Sequence, residues 1–316
     1  MTEPPHAGAC RPVAPRLRTG SARLLLAAVA VAWGANWPVM KAGLEHLPPL
    51  WFAALRFVTG GLCLAVVGWA AGELRVPHCR DWPLVVSAGL LPTATFTALV
   101  TAALVQMPAG RAAFIAYSTP LWVVPLAAVI LGERPGAPRL AGMALGLTGA
   151  CLLAEPGTGG WIAYGMLLLA ALSWAANIVH VRAHRFIGSS LSLAPWQALV
   201  ACLTLVPLAA AVERLPVPGS VATWVALAYV GPLATGFGFW GLVAAGGALP
   251  ATAVSGAMLV APLVGAALSV ALLGERPTPR LASGGALVAV GVVLSSSRPR
   301  RKAPVALEHG LTRVSG

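Results

Sequence analysis

Leu131-Gly132-Glu133-Arg134-Pro135 recurs as Leu273-Gly274-Glu275-Arg276-Pro277, at an offset of 142 residues. Pro120, upstream of the first copy, matches Pro262 at the same offset of 142. Just downstream, Pro138-Arg139-Leu140-Ala141 recurs as Pro279-Arg280-Leu281-Ala282. Far upstream, Trp33-Gly34-Ala35-Asn36 echoes Trp174-Ala175-Ala176-Asn177 at an offset of 141. The bland alternative is chance matching in a chain rich in Ala, Leu and Gly. A five-residue identity at two corresponding places weighs against it, so the chain reads as two related halves.

What each half contains follows from hydropathy. Of the 316 residues 58% are hydrophobic and 9% charged, and the mean hydropathy is +0.82. Soluble domains carry about 25% charged residues. With so few charges a globule of this size needs lipid rather than water around most of its surface. A helix crosses the bilayer core with about 20 apolar residues. The candidate spans are 22–42, 50–70, 83–104, 111–131, 139–155, 162–181, 191–212, 221–244, 250–273 and 280–297. Turn-like breaks separate them at Leu47-Pro48-Pro49, Met107-Pro108-Ala109-Gly110, Arg134-Pro135-Gly136, Glu155-Pro156-Gly157, Leu215 to Gly219 and Arg276-Pro277-Thr278-Pro279.

The expected fold is therefore all-α and membrane-integral, with about ten transmembrane helices in two five-helix repeats. Five is odd, so the second repeat enters the membrane from the other side. Inverted repeats of this kind suit secondary transporters that work by alternating access. The organisation read from the sequence is a basic tail at 1–21, repeats at 22–155 and 162–297, and a basic tail at 298–316.

Basic residues set the orientation. With the N-terminus inside, the inner loops and tails hold Arg11, Arg16, Arg18, Arg23, Arg75, Arg80, Arg134, Arg139, Arg182, Arg185, Arg298, Arg300, Arg301, Lys302 and Arg313. The outer side holds Arg111, Arg214, Arg276 and Arg280. The positive-inside rule then places both termini in the cytoplasm. Trp51, Trp161 and Trp224 are expected in an outer aromatic belt, and Trp69 and Trp82 in an inner one. The net charge of +12 lies in loops and tails rather than on one folded face, which argues against nucleic acid. Arg16, Arg18 and Arg23 before Ala28-Val29-Ala30 mimic a signal peptide, but the apolar run continues to Met40, so an uncleaved first span is expected.

Trp33-Gly34-Ala35-Asn36 followed by Lys41, Pro49 then Arg56-Phe57, and Pro120 followed by Leu131-Gly132-Glu133 resemble the pattern of the EamA family of the drug/metabolite transporter superfamily. The likeness covers roughly 22–297. It implies a ten-helix inverted repeat around a central substrate cavity, an inner-membrane location, and export of amino acids or other metabolites, including amphipathic drug-like compounds. The second half departs from the pattern at Ala175 and lacks a lysine after Asn177, so the two halves differ in cavity chemistry.

Polar side chains inside a membrane usually face the bundle interior. Each of Lys41 and Arg56 costs roughly 2.5–3.5 kcal/mol at a helix centre on insertion scales. Lys41 reads as a structural or substrate anchor. Arg56 reads either as a bond to neighbouring carbonyls or as a site for an anionic group. Asn36 and Asn177 are matched amides, either substrate ligands or interhelical glue. Trp33, Trp37, Trp122 and Trp174 are candidate cavity walls, with packing as the alternative; Tyr117, Gln197 and His180 are weaker candidates for the substrate site. Pro120 and Pro262 are expected as paired gating hinges. Gly142-x-x-x-Gly146 reads as a packing motif.

The five cysteines have no CxxC or Cys/His spacing, so neither metal nor cofactor is called for. Walker A, GxSxG and HExxH motifs are absent from the sequence. A membrane-embedded lipid-modifying enzyme is the alternative function, but it needs His, Asp or Glu clustered at one interface, and the sequence has no such cluster. A receptor or assembly factor leaves the repeat unexplained. The expected partners are a small-molecule substrate and the bilayer; the sequence is silent on oligomeric state.

Overall fold

The computed structural model describes residues 17–154, 160–184, 187–215 and 220–296. The outer parts of both basic tails, Arg185, Cys10 and the Glu155-Pro156-Gly157 turn lie outside the described residues. Among the described residues ten helical spans follow one another. They are α1 (Thr19–Gly43), α2 (Pro49–Ala70), α3 (Cys79–Gln106), α4 (Ala109–Leu131), α5 (Ala137–Leu153), α6 (Gly160–Ala183), α7 (Ser190–Val212), α8 (Val221–Gly246), α9 (Ala251–Met258 continuing through Val260–Leu273) and α10 (Pro279–Ser295). Among the described residues eight helices are long and apolar enough to cross a membrane, and α5 and α10 are shorter apolar helices. No strand occurs among the described residues. The start of α1 and the end of α10 share one face of the bundle, here called the terminal face.

The repeated Leu-Gly-Glu-Arg-Pro motif is a helix stop. Gly132 and Gly274 both sit at φ +66°, where only glycine is unstrained, and each ends its helix in the left-handed conformation. The next residue turns back to bond the helix, with Glu133 N to Ala127 O at 3.3 Å and Glu275 N to Ser269 O at 3.4 Å. Two carboxylates are thereby launched from the same geometry at opposite faces.

Helices α3 and α8 match as well. Each contains a π-helical stretch, Gly89–Thr95 and Tyr229–Phe237, with Pro92 and Pro232 inside. Proline removes an N–H from the ladder, and a wider turn absorbs the gap. Helices α4 and α9 are broken rather than bent. The first is interrupted at Tyr117 and Ser118, the second at Leu259. Pro120 and Pro262 lie in the first turn of the segment after each break, where a missing N–H costs least.

Packing obeys the inversion. Helix α1 packs on α8 and α9, and α6 packs on α3 and α4. Helix α2 meets its counterpart α7, and α5 meets its counterpart α10. The α5–α10 pair is the most extensive of all, and its seam is backbone against backbone. A Cβ on Gly142 would lie 2.6 Å from Ser295 N, and one on Gly149 would lie 2.6 Å from Gly284 O.

The aromatic belts need one correction. Trp69, Trp82, Trp161 and Trp224 are exposed on the outside of the bundle, but Trp51 is buried at 9% exposure. It lies in the first turn of α2, which Glu213 from the end of α7 pins inward by accepting from Leu50 N at 3.0 Å and from Trp51 N at 3.0 Å. Arg111 also departs from a simple outer-loop position: it is buried at 7% exposure, inside the first turn of α4.

Candidate functional site

Trp33, Asn36, Trp37 and Met40 follow at helical spacing and share one stretch of the α1 surface. The Met40 thioether is the meeting point. Asn36 Nδ2 lies 3.5 Å from Met40 Sδ, and Arg56 Nη1 from α2 lies 3.3 Å from the same sulfur. Arg56 Nε donates to Thr235 Oγ1 at 3.0 Å. Thr235 belongs to the π-helical stretch of α8 and donates to Val230 O at 2.8 Å, across the wide turn. Trp33 Nε1 donates to Ala234 O at 2.8 Å, and Tyr229 OH donates to Ala32 O at 2.9 Å. The π stretch is thus fastened to α1 and α2 from three sides.

The electrostatics of this cluster are uneven. A guanidinium has five N–H donors. Thr235 and Met40 take one each, and the Phe57 ring lies 5.7 Å from the guanidinium carbon. Arg56 has no carboxylate partner among the described residues. Asn36 is 7% exposed, and its Oδ1 has no donor among the described residues. A free cationic face and a free amide oxygen therefore flank one sulfur.

On the other repeat α6 does the equivalent job. Ser173 Oγ donates to Leu91 O, in the π stretch of α3, at 2.7 Å. Trp174 meets Phe96 edge-to-face with ring centroids 4.7 Å apart. Asn177 Oδ1 is shielded and, like Asn36 Oδ1, has no donor. Tyr117, at the break in α4, lies 6.2 Å from Trp37 ring to ring.

The structure therefore joins Trp33, Asn36 and Arg56, and brings Tyr117 to them through Trp37. Trp174 and Asn177 form a second group on α6. No hydrogen bond or ring contact among the described residues links the two groups. Lys41 stands apart from both. Its Nζ donates to the carbonyls of Leu104 at 2.6 Å, Val105 at 3.2 Å and Met107 at 3.2 Å, tying the end of α1 to the end of α3.

Sequence reasoning missed Met40, Thr235 and Phe96. A signal for Thr235 was present: Pro92-Thr93-Ala94-Thr95 and Pro232-Leu233-Ala234-Thr235 share Pro, Ala and Thr at an offset of 140. Met40 had none, because a methionine in an apolar run looks like core.

The EamA-like transporter family matches residues 20–154 and 161–297. The chain belongs to that family. A relative in Escherichia coli (strain K12), described as a "Probable amino-acid metabolite efflux pump", is 32% identical over 84% of this chain and 92% of its own length. Another, in Streptantibioticus cattleyicolor, is described as a "Probable terminal-alkyne amino-acid exporter" and is 28% identical over 85% of this chain and 91% of its own. A solved crystal structure superposes with a TM-score of 0.61 at 24% identity, covering 87% of this chain and 97% of its own, and supports the fold. As a member of the EamA-like transporter family the chain is a multi-pass membrane transporter rather than an enzyme.

Proposed function

We propose that this transporter exports an amino acid or a closely related metabolite across the cell membrane, which is the inner membrane in a two-membrane cell, by alternating access. The observation that carries the substrate class is the membrane-embedded Arg56 without an acidic partner, next to the donor-free Oδ1 of Asn36. Arginine holds a carboxylate through paired N–H donors. An amide oxygen accepts from an ammonium group. Both lie beside Met40, so the two ends of one α-amino acid can be met together, with Trp33 and Trp37 as apolar wall. Trp174 and Asn177 contribute from the second repeat when the cavity closes around the substrate.

The orientation proposed is both termini in the cytoplasm, supported by the basic bias of the terminal-face loops. A reporter fused after Arg301 is expected to be active as a cytoplasmic enzyme and silent as a periplasmic one; the reverse pattern overturns the orientation.

The function is tested in cells loaded with labelled dipeptides, whose hydrolysis raises internal amino acids. Cells expressing the protein are expected to release at least one amino acid several-fold faster than cells with the empty vector. Equal release across all twenty amino acids and their N-acetyl and alkyne derivatives overturns the substrate class.

A further inference from the structure

We infer that the cleft on the terminal face, between α4, α6 and the end of α10, is a second binding site for an α-amino acid with an apolar side chain. It holds the substrate before the substrate reaches the Arg56 group. The inference rests on the amino-acid reading above and adds a further site for the same ligand class.

The cleft has a volume of about 280 Å³. Ligand pockets begin at about 300 Å³, so this one suits a small metabolite rather than a large compound. Its walls are apolar, with Val123 from α4 and Ile178 from α6. Its rim is charged, with Glu133 from the end of α4, Arg139 from α5 and Arg182 from the end of α6. Glu133 accepts from Arg139 at 3.2 Å and from Arg182. Two arginines and one carboxylate leave one positive charge in excess. An α-amino acid carries the complement: a carboxylate for arginine, an ammonium for Glu133 and a side chain for the valine and isoleucine wall. A purely anionic ligand would meet Glu133 unfavourably, and a purely cationic one would meet the arginines.

The bland role for such groups is to finish helix ends, and the opposite face shows that role. Lys41 and Arg182 are mates at an offset of 141, and Glu133 and Glu275 at an offset of 142. Lys41 donates to three carbonyls at the end of α3, and Glu275 accepts from Ala109 N at 2.5 Å and Gly110 N at 3.1 Å. There the backbone takes both charges. On the terminal face Arg182 and Glu133 take each other, beside a cleft. Their side chains are 42% and 29% exposed. So exposed a pair contributes little to stability, and its two halves can be exchanged for the two ends of a ligand at little cost.

The cleft also leads towards both polar groups of the site. Pro120, on the α4 wall, comes three residues after Tyr117, whose ring meets Trp37. Ile178, on the α6 wall, is one turn beyond Trp174 and next to Asn177, whose Oδ1 has no donor among the described residues. A substrate following the two walls inward meets one member of each group.

The test uses the full-length protein purified in detergent, where both faces are open to reagent and membrane orientation has no bearing. Val123→Cys is labelled with a maleimide and read by mass spectrometry at that position alone. The probes are L-leucine, L-methionine and L-phenylalanine, and at least one is expected to protect. With the probe at about ten times its Kd, the free fraction falls about tenfold, and the labelling rate falls with it. The amide of the same amino acid, and the same acid without its amine, each lack one charge. Each is expected to need at least about tenfold more ligand for equal protection. Arg56→Ala disables the inner group, and protection is expected to persist in that background. Glu133→Gln is expected to raise the concentration needed at least about tenfold. Should Glu133→Gln not give a monodisperse protein, Arg182→Gln decides in its place, with the same expected loss. Protection that is lost in Arg56→Ala, or kept in full without the rim charge, overturns the inference. So does the absence of protection by all three probes. Equal protection by the acid without its amine also overturns it and marks the cleft as a site for anions such as a lipid phosphate. Release of amino acids from cells without protection here leaves the export reading standing and removes the cleft; protection without release does the reverse.

Discussion

Arg56→Ala is expected to lower export of a carboxylate-bearing substrate by on the order of a hundredfold in kcat/KM while the protein stays in the membrane at its normal level. Removing one partner of a desolvated charge pair costs about 2–5 kcal/mol, and each 1.4 kcal/mol is about tenfold. The protein side of the loss is small by comparison. Arg56 supports the fold through one hydrogen bond to Thr235, one contact to Met40 Sδ and the nearby Phe57 ring, and Thr235 keeps its own bond to Val230 O without it. Arg56→Lys retains the charge but not the paired donors, so an intermediate loss is expected. The amide of the same substrate gives the control. It has no carboxylate, and its slower export is expected to be indifferent to Arg56→Ala. Equal losses for acid and amide, or collapse of membrane levels, would mean that Arg56 holds helices rather than substrate.

Gly291→Val is expected to remove most of the folded protein. A Cβ at Gly291 would stand 2.5 Å from both Cα and N of Gly146 and 2.6 Å from Gly142 O. Every one of those atoms is backbone, so no side chain can turn aside. Helices α5 and α10 have to separate along their whole seam, and overpacking alone costs about 1–3 kcal/mol before lost contacts are counted. Gly165→Val is the matched control, since nothing lies within 4 Å of a Cβ at that position in α6. Size-exclusion chromatography in mild detergent is expected to show a sharp peak for Gly165→Val and aggregate for Gly291→Val. A sharp peak for both would place the stability of the pair elsewhere than in its close crossing.

The ten spans and their inversion were legible because lipid imposes a length on each helix and a repeat imposes a register on two. Leu131-Gly132-Glu133 and its copy mark the same stop in both halves, and glycine is required there by φ. Trp33, Asn36 and Arg56 could be singled out because polar groups are rare in apolar runs. Their meeting at Met40 could not, since nothing in a sequence says which helix of one repeat faces which helix of the other. The π stretches were hidden for a related reason: Pro92 and Pro232 announce a disturbance, but not that the helix absorbs it by widening rather than bending. Trp51 misled the belt assignment because a tryptophan at a span boundary reads alike whether it faces lipid or is drawn inward by Glu213.

The short α5–α10 pair has a bearing on the bilayer as well as on the fold. Each helix has 17 residues, which at 1.5 Å per residue is about 25 Å. Bilayer hydrocarbon is about 30 Å thick, and mismatch costs fractions of a kcal/mol per ångström. Along this one edge the lipid has to thin or the exposed arginine at the start of α10, Arg280, has to reach outward to the headgroups. The remaining spans impose no such demand. The protein thus presents a thin flank and a thick remainder to the surrounding lipid.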